Sequence, residues 1–204
     1  MSAFETLRAE KLREDVDLAI IGREIVVLEE TASTNDAVLA RASSATEGLV
    51  IFAERQTAGR GQRNNSWESA AGKGLWFSIL LRPKIDIVES PRIAEWAART
   101  VAETISQTFA LPATVKLPND VIVAGKKIAG VLVEMRAQPK APHIAIVGIG
   151  VNVNHQPEDF SNELQGRAIS LAIALSREVD RHQFAIALLR NLDRSYCKLF
   201  ARIL

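Results

Sequence analysis

A chain of 204 residues with 48% hydrophobic and 24% charged side chains has the length and make-up of one ordinary globular domain with a full core. Its 25 basic and 24 acidic residues leave a net charge of +1, which excludes a generally basic nucleic-acid face while leaving room for a local basic patch. One cysteine, Cys197, excludes an internal disulfide, no apolar run nears the ~18 residues of a membrane span, and Met1 to Asp17 lacks the apolar centre of a secretion signal, so a soluble cytoplasmic protein is expected.

Met1 to Leu18 reads as a helix with Leu7, Leu12 and Val16 on one side, too short for a helix-turn-helix module with its own core. Arg23 to Glu30 reads as a strand. Thr31 to Asp36 is a run of capping residues before a helix over Ala37 to Arg41, so Ser33, Thr34 and Asn35 either cap that helix or contact a ligand. Leu49 to Ala53 reads as a buried strand. Gln56 to Ser69 has no apolar periodicity and many Gly, Asn and Arg residues, which predicts a long loop; such loops are usually functional or disordered. Within it, Arg60 and Arg63 beside Gly59 and Gly61 suit an anion, because glycine admits close backbone amides and guanidinium offers two donors. A solvated arginine loop is the alternative. The loop is neither a dinucleotide fingerprint nor a P-loop: Asn64 stands where a third glycine belongs, Trp67 where the first P-loop glycine belongs, and Gly74 follows Gly72-Lys73.

Gly74 to Leu81 reads as a strand. Pro91 to Phe109 spaces Ile93, Trp96, Ala97, Val101, Ile105 and Phe109 as a core-packing helix, opened by Ser90 as cap and Pro91 in the first turn. Ala113 to Lys116, Val121 to Ala124, Ile128 to Met135 and Ile144 to Val153 are further strands. Lys116, Asp120, Lys126 and Lys127 crowd around the Pro-Asn-Asp turn of this hairpin, next to a buried strand. Charge pressed against a core strand is costly unless paired or bound, and the alternative is lysines in solvent. Gly148 and Gly150 face one side of their strand, where a ligand lies flat on bare backbone or where the glycines merely serve twist; Asn152 continues that face. Ser170 to Ser176 is a short helix, and Asp180 with Gln183 caps a last one carrying Phe184, Leu188, Leu192, Tyr196 and Leu199. Cys197 reads there as a small core residue. Hairpin strands with helices between them predict an α+β fold with a mixed, largely antiparallel sheet.

Taken together, Ser33-Thr34-Asn35, the loop Gly59 to Trp67, Lys116-Leu117-Pro118-Asn119-Asp120, the run Lys127 to Glu134 and Gly148 to Asn154 resemble the catalytic domain of biotin protein ligases, in order and spacing, over roughly residues 25 to 200. The resemblance implies a fold like that of class II aminoacyl-tRNA synthetases and a single catalytic domain over 1–204. It implies neither an N-terminal DNA-binding domain nor the small C-terminal β-barrel of some relatives, hence no DNA partner. The implied activity joins biotin and ATP into biotinyl-5′-AMP, with Mg²⁺ for the leaving pyrophosphate, and passes biotin to a lysine of a biotin carboxyl carrier domain. By the same resemblance, Ser33, Thr34 and Gln56 bond the ureido ring. Asn35, Gly59, Arg60 and Gly61 lie beside biotin, Gly130, Val131 and Leu132 line its slot, and Gly148 and Gly150 let it lie close. Lys127 neutralises charge between carboxylate and α-phosphate, forming with Arg60 and Asp120 the catalytic set. Arg60, Arg63, Trp67, Lys116, Asn119, Asp120 and Asn152 serve ATP, and Asp120 holds the metal. Two departures stand out: Gln62 replaces a usual arginine, and Leu117 replaces a usual Trp as an apolar swap that keeps the slot wall. A lipoate or octanoate transferase shares the implied fold, a biotin-binding protein without ligation is a further alternative, and a homodimer through the sheet edge is expected by resemblance.

Overall fold

The computed structural model describes residues 5–14, 17–139 and 142–200. Seven strands make one sheet: β1 (Ile25–Thr31), β2 (Val50–Gln56), β3 (Gly74–Leu81), β4 (Ala113–Lys116), β5 (Asp120–Val123), β6 (Lys126–Arg136) and β7 (Ile144–Asn152). Their order across the sheet is β1-β2-β3-β7-β6-β5-β4; β1 and β2 are parallel and the other neighbours antiparallel. The helices are α1 (Ala9–Arg13), α2 (Thr34–Arg41), α3 (Ser90–Phe109), α4 (Leu171–Leu175) and α5 (Arg181–Leu199). This is the expected α+β class with a mixed, largely antiparallel sheet. No helix among the described residues is long and apolar enough to cross a membrane.

The two faces of the sheet are covered unequally. One face presents Leu75, Phe77, Ile79, Ala145, Val147, Ile149 and Val151 to α3 and α5, which contribute Ile93, Ala97, Val101, Leu188 and Leu192 to a single large core. On the other face Ile51, Leu80, Ile144 and Ile146 pack under Val38 of α2 and Ala42 just after it. Eight helical residues span roughly 12 Å, so α2 covers only part of that face. Beyond its end the register continues the face through Ser78 and Trp76 of β3, Gly148 and Gly150 of β7, and Leu132 and Gly130 of β6. That stretch has few side chains and no helix above it.

Several boundaries differ from the sequence reading. The first helix is only Ala9–Arg13; Leu7 and Leu12 are buried, while Val16 and residues 1–4 lie outside the described residues. Ser90 is a helical residue rather than a cap, because a 3-10 turn over Ile87–Glu89, capped by the Asp86 carboxylate, runs straight into α3. Cys197 is half-buried with Sγ 3.8 Å from Asp193 Oδ1, so it is not a core residue. Asp180 does cap α5, accepting from the amides of His182 and Gln183.

One buried ion pair ties this frame together. Arg181, at the start of α5, donates to both carboxylate oxygens of Glu54 on β2 at 2.8 and 3.2 Å, with side chains 4% and 10% exposed. Glu54 also accepts the amide of Leu7 at 2.6 Å. Removing one partner strands a buried charge, so Arg181→Ala is expected to lower unfolding stability in urea by about 3–5 kcal/mol. The paired change Glu54→Gln with Arg181→Met, which leaves no lone charge, is expected to cost clearly less in the same titration.

Candidate active site

A narrow slot opens where α2 stops covering the sheet. The parallel pairing of β1 and β2 sets Thr31 opposite Gln56, so the start of α2 and the end of β2 meet. There Gln56 Oε1 accepts from the amide of Thr34 at 2.8 Å and from its hydroxyl at 3.1 Å. Gln56 thus does the work of a cap. Ser33, in extended backbone, makes no capping bond; it is 3% exposed and lines the slot. Asn35 reaches inward from the same turn. Its Nδ2 donates to Glu134 Oε2 at 2.7 Å, and Ser78 Oγ lies 2.6 Å from its Oδ1 and 2.7 Å from Thr34 Oγ1, one proton serving either. This seat exists because residue 148 is glycine: a Cβ there would come within 2.4 Å of Asn35 Oδ1.

Gly130 and Gly150 pair in register and form the slot's flat floor. The indole of Trp67 lies on that floor: a Cβ at Gly130 would meet Cζ3 at 2.8 Å, and one at Gly150 would meet Cε2 at 2.6 Å. About 40 Å³ of the slot remains open. Trp67 Nε1 is buried without a partner among the described residues. The segment holding Trp67 is more ordered than its composition suggests. Arg60 and Ser66 bridge as antiparallel neighbours, Trp67 donates its amide to Gly59 O at 2.9 Å, Gly61 donates to Asn65 O at 2.7 Å, and Gln62–Asn64 forms the 3-10 tip. The expected long loop is therefore a small hairpin folded over the slot.

Lys127 stands at the slot's end because of a bulge. Val121 pairs with Ala129 and Ile122 with Lys127, leaving Ile128 as an extra residue on β6. In a regular strand Lys127 and Gly130 would face opposite sides; the bulge turns them to one side. Lys127 Nζ lies 2.7 Å from Asp120 Oδ1 and 5.2 Å from the centre of the Trp67 ring. Its main chain is pinned by bonds with Arg167 O and the Ile169 amide at 2.8 and 2.9 Å.

Beyond Lys127 lies a second cavity of about 650 Å³, bordered by Lys116, Asp120, Asn152, Arg167 and, again, Lys127 and Trp67. His155 also borders it. It is 2% exposed, stacked on Phe160 with centroids 5.1 Å apart, with its Nδ1 unpartnered among the described residues. Burial outweighs the attraction of Asp159 and Glu68 and holds its pKa down at about 4, so the imidazole is neutral near pH 7. Among the described residues no three His, Cys, Asp or Glu side chains gather as a metal site. Asp120 alone suits an ion that takes one or two carboxylates and completes its shell with phosphates and water.

Ser33, Thr34, Asn35, Gln56, Arg60, Gly61, Lys127, Gly130, Val131, Leu132, Gly148 and Gly150 all come together around the slot. Trp67 does too, and Gln62 joins them. Asn119 lines the slot, with Nδ2 on Val131 O at 2.9 Å, rather than the second cavity where Lys116 and Asp120 lie. Asn152 borders the second cavity and is tied to Ile169 O at 3.1 Å, so it does not lie beside a slot ligand. Gly59 is buried in the hairpin base, and Arg63 is exposed at its tip with φ 56°; neither borders a cavity. Leu117 is 60% exposed and lines neither cavity, which overturns its reading as slot wall: the turn carries it outward. Asp36, Ser78, Glu134, His155 and Arg167 were not singled out from sequence. Only Ser78 left a trace, as a hydroxyl in an otherwise apolar strand.

Sheet, glycine floor and lysine hairpin define an α+β domain of the kind shared by class II aminoacyl-tRNA synthetases and biotin ligases. The chain belongs to the biotin/lipoate A/B protein ligase family, which residues 27–152 match. It is 35% identical over 176 residues to the bifunctional ligase/repressor BirA of Bacillus subtilis, covering 86% of this chain and 54% of the relative. It is 34% identical over 182 residues to the biotin–[acetyl-CoA-carboxylase] ligase of Mycobacterium tuberculosis, covering 84% and 63%. The chain thus spans about half the length of the first of these curated relatives and under two thirds of the second. Among solved structures, biotin protein ligase from Aquifex aeolicus in complex with biotin and ATP superposes with a TM-score of 0.74 at 30% identity, covering 88% of this chain and 73% of that one.

His155 gives the site a measurable pH signature. Its folded pKa of about 4 lies below the ordinary 6.5, so between these values the unfolded chain binds more protons and stability rises with pH. Wild-type stability is expected to fall by about 3 kcal/mol more than that of His155→Phe as pH drops from 6.5 to 4, read from urea titrations at each pH. Parallel curves for the two proteins would contradict a neutral buried imidazole.

Proposed function

We propose that this chain is the catalytic part of a biotin–[biotin carboxyl carrier protein] ligase. The observation that carries the reading is the meeting of a glycine-floored slot and a larger cavity, where Lys116, Lys127 and Arg167 stand among four carboxylates, at one amine, Lys127 Nζ. Biotin suits the slot. Its ureido group finds the Ser33 hydroxyl, Thr34 and the Gln56 amide at the polar end, while Gly130 and Gly150 accept the flat valeryl chain. The dithiolane of lipoate would leave those polar groups unpaired, and a site built to hydrogen-bond its ligand discriminates strongly against one that cannot. ATP suits the second cavity, with Lys116, Arg167 and Lys127 toward its phosphates and Asn152 within it. The similar Aquifex aeolicus ligase in complex with biotin and ATP, and the similar Mycobacterium tuberculosis biotin–[acetyl-CoA-carboxylase] ligase, support the same assignment.

In the first step a carboxylate oxygen of biotin attacks the α-phosphorus, the bond to the bridging oxygen breaks, and pyrophosphate leaves. Lys127 holds positive charge where carboxylate and α-phosphate approach. One fixed donor of this kind is worth about 3–4 kcal/mol at the transition state in other enzymes. Asp120 would hold a Mg²⁺ ion together with phosphate oxygens and water, and that ion supplies charge neutralisation for the leaving group. In the second step the neutral amine of a carrier-domain lysine attacks the acyl carbon, AMP leaves with the anhydride oxygen, and the amine loses its proton. Arg60 and the hairpin exclude water from the mixed anhydride meanwhile. A cytoplasmic site of action and a homodimer through a sheet edge, β1 or β4, belong to the same proposal.

Biotin, ATP and Mg²⁺ together are expected to release pyrophosphate, and added carrier domain to become streptavidin-reactive; biotin binding without pyrophosphate would reduce the reading to a binding module. Lys127→Ala is expected to lose about 10²–10³-fold in pyrophosphate formation while its affinity for biotin changes little. Because Trp67 occupies the floor, biotin binding should also change tryptophan emission, and Trp67→Phe should abolish most of that change. An unchanged wild-type spectrum at saturating biotin would mean the ring does not yield the floor.

A further inference from the structure

Besides the seat of its indole and main-chain bonds at its base, the hairpin that carries Trp67 is tied to the body by one bidentate ion pair. Arg60 Nη1 and Nη2 each donate to a different oxygen of Asp36, both at 2.7 Å, a two-point planar grip. Nη2 also lies 3.4 Å from Glu134 Oε2, itself held by Asn35 Nδ2. One guanidinium is therefore clasped by carboxylates from α2 and β6, on either side of the slot. Arg60 is directly bonded into the hairpin: it bridges to Ser66, and the neighbouring Gly59 carbonyl accepts the amide of Trp67. A restraint on Arg60 is thus a restraint on the indole over the floor.

An acidic residue in the first turn of a helix ordinarily serves the helix itself. Asp36 spends both oxygens on Arg60, and no bond from it to a backbone amide of α2 is formed among the described residues. The bond to Arg60 holds the Asp36 carboxyl below its ordinary range, and the same bond holds the guanidinium protonated more firmly than usual.

We infer that Asp36 is a positioning residue: it acts through Arg60 to keep the Trp67 hairpin shut over the slot, and so sets how long the acyl-adenylate stays on the protein. The second half of this statement rests on the ligase reading; the first half does not. A reactive anhydride must wait for a carrier lysine, and each opening of the hairpin lets it escape or meet water. The pair is partly exposed, 39% for Arg60 and 50% for Asp36, so its grip is that of a good surface pair rather than a buried one. Its loss is expected to speed opening by roughly two- to fivefold.

The test compares wild type with Asp36→Asn, which keeps size and removes charge, and Asp36→Glu, which keeps charge. In the ligand-free protein, trypsin cleavage after Arg63 at the hairpin tip is followed at a concentration that leaves the body intact. Asp36→Asn is expected to be cut roughly two- to fivefold faster at an unchanged Tm, with Asp36→Glu in between. With biotin and ATP, the same variant is expected to release labelled adenylate faster by a similar factor and, because biotin displaces the indole that the latch holds on the floor, to bind biotin alone no more weakly than wild type. Equal cleavage rates overturn the inference, as does faster cleavage accompanied by a lowered Tm that Asp36→Glu does not restore. Faster cleavage together with a wild type that forms no adenylate leaves the latch standing and removes the ligase reading instead. Faster cleavage with unchanged adenylate release overturns the claim on retention.

Discussion

A β-sheet has two faces, and each must lie against something or be left bare. In this chain α3 and α5, with Leu7 and Leu12 over β1, cover one face, whereas the short α2 covers the other only over β2, β3 and the near half of β7. Where α2 ends, larger side chains on the exposed stretch would fill the space. The register instead pairs Gly130 with Gly150 and sets Gly148 against Leu132, so the backbone itself becomes a surface. Everything else at the site follows from this gap. It lets Asn35 insert over Gly148, lets Trp67 lie flat, and leaves the polar first turn of α2 facing an apolar trough.

The indole on the floor is well packed but badly bonded. An aromatic side chain of this size removes roughly 150–250 Å² from water, which favours the closed hairpin. Its buried Nε1 has no partner among the described residues, and an unmet donor of this kind costs about 1–3 kcal/mol. The seat is thus favourable by area and unfavourable by hydrogen bonding. A ligand with a flat body and a polar head would compete for this floor while meeting Ser33, Thr34 and Gln56, which line the same slot.

The sheet and its class were readable from short apolar runs grouped as hairpins: β3 and β7 match theirs closely, and the long α3 matches its helical spacing. Most of the slot was also readable, since its members sit in short stretches whose composition breaks the local rule, such as glycines inside an apolar strand or hydroxyl and amide side chains before a helix. What escaped was what depends on contacts distant in the chain. Capping residues at 31–36 suggested that Ser33 caps α2, but Gln56, brought alongside by a parallel strand pair, takes that role. The hairpin at 57–67 escaped because its bonds are between main-chain atoms of residues with no strand propensity. Leu117 looked like wall because it is apolar, yet a turn residue can face out, and it does. The pairing of Asp36 with Arg60 spans 24 positions and leaves no periodic mark at all.

The bulge at Ile128 shows how small a backbone irregularity decides chemistry. Lys126 and Lys127 are identical in type and adjacent, and a regular strand would send the second away from the glycine face. One extra residue shifts the phase, so that Ile128 and Ala129 both enter the core and Lys127 comes to stand beside Gly130. The phase shift is held from two sides, by β5 and by the bonds of Lys127 with the segment at Arg167 and Ile169. A bulge fixed on both sides cannot slide, which is what a charge needs if it is to occupy one place while two ligands arrive around it. The charge of the amine is meanwhile balanced by Asp120, a partner that phosphate oxygens can replace without moving the backbone. Position is therefore supplied by main chain and charge balance by an exchangeable side chain, and the two functions are separable by substitution.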